Sequence, residues 1–146
     1  MERSTIWNQL LAGFAGALAA TATGFALFPI VMIVGSTLWE YDVKSFAVGW
    51  LTVTMMLAGW FFLAAYVGGF VCGTINKTEN KIAAFFPAAI ASLVLFYLVF
   101  GDTSSWDDFR FSEIATFVVA IAAIWFGFFR GNRRGILARR EKNQSK

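Results

Sequence analysis

The sequence predicts an all-α integral membrane protein, a four-helix bundle running up-down-up-down with both termini cytoplasmic. Three observations carry this. Of 146 residues, 58% are hydrophobic and only 14% charged, where about a quarter charged is usual for soluble domains. The uncharged runs are long: residues 8–38, 45–76, 82–101 and 114–129 carry no charge. Basic residues crowd one end, with seven of the twelve Lys and Arg lying between Arg130 and Lys146.

The hydrocarbon core needs about 20 apolar residues per helix, which places spans at about 7–34, 46–75, 82–100 and 113–129. The first is longer than a bilayer requires, and Pro29 lies inside it. A proline removes one backbone donor and crowds the preceding turn, so a kink is expected there. The small residues at Ala17 to Ala20 look like a signal-peptide cleavage site. Because the apolar run continues well past them, cleavage is not expected. The second span should tilt or protrude. Between spans two and three stand six polar residues, 76–81, enough for a tight hairpin that should make those helices antiparallel neighbours. By the same reasoning every helix should pack beside its sequence neighbour. The fourth span ends where Arg130 begins the basic run, which divides the chain into a transmembrane domain, 1–130, and a basic cytoplasmic tail, 131–146.

Counting Lys and Arg sets the orientation. With the N-terminus inside, Arg3, Lys77, Lys81 and the seven tail residues share the cytoplasmic side, and only Lys44 and Arg110 lie outside. Trp39, Tyr41, Trp50, Trp106, Phe109 and Phe111 then form an aromatic belt at the outer interface. Ser104 and Ser105, followed by Asp107 and Asp108, resemble the capped start of a short interfacial helix. The setting expected is a cell membrane of the bacterial inner-membrane kind.

Lipid tails are as apolar as leucine, so helices associate where small side chains let backbones approach. Such residues recur at four-residue spacing: Ala12, Gly16, Ala20 and Gly24 in span one, and Ala65, Gly69 and Gly73 in span two. Ala84, Ala88 and Ser92 form the stripe in span three, and Ala123 and Gly127, with Gly131 beyond, the stripe in span four. Four such stripes in one chain point to packing within the bundle. The alternative for Gly69 and Gly73 is a dimerisation face. Trp60, Phe61 and Phe62 are expected to meet lipid or to fill the bundle.

Chemistry is scarce. The chain has no histidine and one cysteine, Cys72, so no disulfide forms within it and the commonest metal ligand and general base are missing. Charges inside a membrane usually mark function, yet the four spans hold none except Glu113 at the outer edge. Asp102, Asp107, Asp108 and Glu113 read as an ordinary acidic outer region, and no metal or other cofactor is expected. Thr21, Thr23, Ser36, Thr37, Thr52, Thr54, Thr74 and Asn76 are the polar material for an aqueous path, although such hydroxyls more often bond their own helix backbone.

The tail cations Arg130, Arg133, Arg134, Arg139, Arg140 and Lys142 sit where an anionic inner leaflet would attract them, each contributing roughly 1 kcal/mol. They lack interleaved aromatic residues, so membrane lipid and not nucleic acid is the expected contact. The function expected is non-enzymatic: an accessory or scaffolding subunit bound to another membrane protein, or a self-associating bundle. The alternative is a small oligomeric channel or transporter lined by Thr, Ser and backbone carbonyls.

Overall fold

The computed structural model describes residues 3–40, 46–77, 82–100 and 111–145, and every element among them is helical. Helix α1 is Arg3–Glu40, α2 is Phe46–Ile75, α3 is Ile82–Phe100 and α4 is Phe111–Gln144. Stretches within α1, α2 and α4 are each long and apolar enough to cross a membrane. The 19 residues of α3 extend about 29 Å at 1.5 Å per residue. Pro29 lies within a continuous α1 and Pro87 within α3.

Two of these helices outrun the sequence reading. Helix α1 begins before Trp7 and continues past Val34, and α4 does not stop at Phe129. It runs through the whole basic segment as one helix of 34 residues, about 50 Å long. Arginine is a good helix former, and residues 130–144 contain no proline. Gly131 and Gly135 would weaken a solvated helix, but both are buried against α2. Thus no break in the fold separates residue 130 from residue 131.

The pairing of helices also differs from the expected neighbour order. The most extensive contact joins α2 to α4, then α1 to α2, and of the helix pairs in contact α2 and α3 touch least although a short link joins them. The backbones explain this. A Cβ added to Gly69 or Gly73 would run into the backbone of Phe128 or Asn132, and one added to Gly131 or Gly135 into the carbonyl of Tyr66 or Phe70. Glycine therefore faces backbone from both sides of one seam, which gives the close approach that drives association in lipid. Helix α3 offers Ala83, Ala84 and Ala88, all buried, and no glycine. Its alanines hold neighbours one methyl further away.

Register follows from the same contacts. Trp50 and Thr54 of α2 meet Thr116 of α4, Gly69 meets Phe128, and Asn76 meets Arg139, so α2 and α4 run parallel. Helix α1 runs against α2, with Gly16 on Gly68 and Cys72, and Gly35 on Met56. Among the described residues the interior consists of two small clusters. Ala65, Ala88, Ile124 and Phe128 form one, and Ala12, Cys72 and Ala83 the other.

Candidate functional site: a lateral apolar cavity

The packing stripes account for where space is left. Along α1, Ala12 is fully buried, and a Cβ on Gly16 would lie 2.7 Å from the Gly68 carbonyl oxygen and 2.9 Å from the Cys72 Cβ. Gly68 in turn abuts Ala20 and Phe128. Four residues on, Gly24 stands further from its neighbour, with Ala64 Cβ at 3.9 Å from an added Cβ. The Trp60 indole bridges this wider gap by donating through Nε1 to the Gly24 carbonyl at 3.0 Å, and Phe28 leans on its ring, centroids 5.8 Å apart. On the other side Gly13 packs on Ala83 and Pro87. Helices α1 and α3 therefore meet closely beside Gly13, and a cavity lies between them further along.

That cavity has a volume of about 540 Å³. Its sides are Ala17, Ala20, Gly24, Phe25 and Phe28 of α1 and Pro87, Ile90, Ala91, Val94 and Leu95 of α3. Its back is Trp60, Phe61 and Ala65 of α2 with Ile124 and Phe128 of α4. The one lining hydroxyl, Thr21 Oγ1, donates to the Ala17 carbonyl of its own helix at 2.9 Å. A wall of this kind offers dispersion and area burial to an apolar guest and nothing to an ion.

No family model matches this chain, nor does any curated protein or any solved structure.

Of the remaining stripe residues, Ala65, Ala84 and Ala88 are buried, Gly127 meets the Phe62 carbonyl and Ala65, and Ala123 is half-buried. Ser92 Oγ donates to the Ala88 carbonyl and accepts from Trp125 Nε1, both at 2.9 Å, so the polar end of the α3 stripe ties α3 to α4. Gly69 and Gly73 are occupied by α4 of the same chain, which leaves neither as an open dimerisation face. Trp60, Phe61 and Phe62 are all half-buried. Thr23, Ser36, Thr37 and Thr74, like Thr21, donate to carbonyls of their own helices, while Thr54 lies buried against Thr116.

The cations divide. Arg130, Arg133, Arg134, Arg140 and Lys142 are exposed, whereas Arg139 is partly buried and donates through Nη1 to the Asn76 carbonyl at the end of α2. Asn76 and Asn132 are buried there too, and the Asn132 carboxamide oxygen has no hydrogen-bond partner. Sequence reasoning passed over Phe128, which is 2% exposed and supports both the seam and the cavity. It also passed over Gly135. The signal was present: Gly127, Gly131 and Gly135 keep four-residue spacing straight through the arginines. Asp102, Trp106, Asp107, Asp108, Phe109 and Arg110 lie outside the described residues, as do Tyr41, Lys44 and Lys81, and with them the expected interfacial helix and half of the belt.

Proposed function

We propose that this chain is a non-enzymatic, multi-pass accessory protein of a cell membrane, whose working surface is the lateral cavity between α1 and α3. In this reading all four helices cross the bilayer up-down-up-down and both ends lie in the cytoplasm, as the distribution of Lys and Arg favours. The single observation that carries it is an apolar chamber walled by side chains of all four helices and containing no free hydroxyl. A helix is 10–12 Å across, too broad for about 540 Å³ along a full span. The chamber suits bulky apolar side chains projecting from a partner's membrane helix. The channel reading draws less support, because Thr21, Thr23, Ser36, Thr37 and Thr74 return their hydroxyls to their own helices.

Cavity filling tests this. Ala91→Phe and Ala17→Phe place a ring in the chamber from opposite walls. Native-detergent purification of the wild-type chain should recover a membrane-protein partner at fixed ratio, and each variant should lose it while keeping the melting temperature of the isolated chain. Retention of the partner by both variants would remove the cavity from the function.

A further inference from the structure

The seam between α2 and α4 fixes the depth of the arginines, which the sequence does not. Gly131 lies against Tyr66 and Phe70, and Gly135 against Phe70 and Thr74. Arg130, Arg133 and Arg134 are therefore level with the stretch of α2 between Tyr66 and Thr74, about one and a half to two and a half turns before the Asn76 contact with Arg139. At 1.5 Å per residue that is roughly 8–14 Å towards the middle of the bundle. The other helices are apolar and outward-facing at this level. Val67 and Phe70 of α2 are exposed, and so are Leu11, Phe14 and Leu18 of α1, which flank Gly16 where it meets Gly68. Phe126 of α4, 61% exposed, precedes Arg130 by one turn.

Positions 130, 133, 134 and 137 are spaced i, i+3, i+4 and i+7, so they share one face of α4. There Arg130, Arg133, Arg134 and Leu137 line a notch of about 260 Å³. All three guanidinium groups are exposed and none is paired among the described residues. The next acid along the helix, Glu141, is two turns beyond Arg134. Three unpaired cations abreast of apolar surface are costly in lipid unless they reach a counter-charge. Long side chains snorkel towards one, and the planar guanidinium fork matches phosphate.

We propose that this notch is a binding site for the phosphate headgroup of an anionic phospholipid in the adjacent leaflet, with Phe126 against its apolar part. The site is distinct from the cavity between α1 and α3 and does not depend on its function. It also separates the cations by role: Arg139 closes the end of α2, and Arg130, Arg133 and Arg134 hold lipid.

The test uses the full chain in nanodiscs and in detergent, probed with phosphatidylglycerol, phosphatidylcholine and inorganic phosphate. Native mass spectrometry should show phosphatidylglycerol retained in preference to phosphatidylcholine. The combined variant Arg130→Gln, Arg133→Gln, Arg134→Gln should weaken that retention on the order of 100-fold. A control removing the same charge further along, Arg140→Gln, Lys142→Gln, Lys146→Gln, should retain nearly all of it. Cys72 protection from maleimide in both variants verifies the fold. Equal loss in the two variants would reduce the effect to diffuse attraction by the tail and overturn the site, as would no loss in the first. Saturable binding of inorganic phosphate with no lipid preference would overturn the lipid assignment.

Discussion

Adding a single methyl group at Gly131 should unfold this protein more easily, and the same change at Gly59 should do the reverse. A Cβ at position 131 would overlap the Tyr66 carbonyl oxygen and lie 2.8 Å from the Phe70 nitrogen. These are backbone atoms of a helix that cannot rotate aside as a side chain can. Overpacking typically costs 1–3 kcal/mol, and rigid neighbours put Gly131→Ala near the top of that range, about 3 kcal/mol. Alanine recovers up to about 1 kcal/mol through its higher helix propensity. The net loss is then about 2 kcal/mol, and Gly69→Leu or Gly73→Leu should lose more. Gly59 meets nothing within 4 Å of an added Cβ, so Gly59→Ala keeps only the propensity gain, up to about 1 kcal/mol. Reversible unfolding in mixed dodecyl maltoside and SDS micelles, followed by circular dichroism, measures both. Gly131→Ala as stable as the wild type would refute the claim that backbone contact along this seam holds α2 to α4.

Cys72 is fully buried where α1, α2 and α3 meet, against Ala12 and Ala83. Maleimide should leave it unmodified in mild detergent over the time in which the SDS-unfolded chain is fully labelled; equal rates would mean that this cluster is open. Thr116→Val removes the acceptor of the Trp50 indole and the partner of the Thr54 hydroxyl, both at 3.0 Å. The expected loss is about 1 kcal/mol in the same micelle titration, and an unchanged midpoint would show that these bonds contribute nothing net.

The helices were legible because hydrocarbon imposes a length and excludes charge, and residues 82–100 show both limits cleanly. The end of α4 was not, because charge was read as the end of the helix. What Arg130 marks is a change of surroundings on one face, while Gly131 and Gly135 on the opposite face remain in the bundle. The small-residue stripes could be read residue by residue, but not which stripe meets which. That choice depends on the difference between a glycine and an alanine at Ala84 or Gly69, a methyl group whose effect appears only when two backbones are brought together. The cavity was illegible for a related reason. It lies where α1 and α3 are not in contact, and a gap leaves no residue pattern of its own.

The parallel seam sets the order in which this molecule is completed. Its two halves lie about 60 residues apart, Gly73 meeting Asn132, and at 5–20 residues per second the second half follows the first from the ribosome by roughly 3–12 s. Until then α2 waits in the membrane with its glycine face uncovered, open to any other narrow helix that passes. A chain halted before α4 would keep α1 on α2 yet lack its most extensive interface.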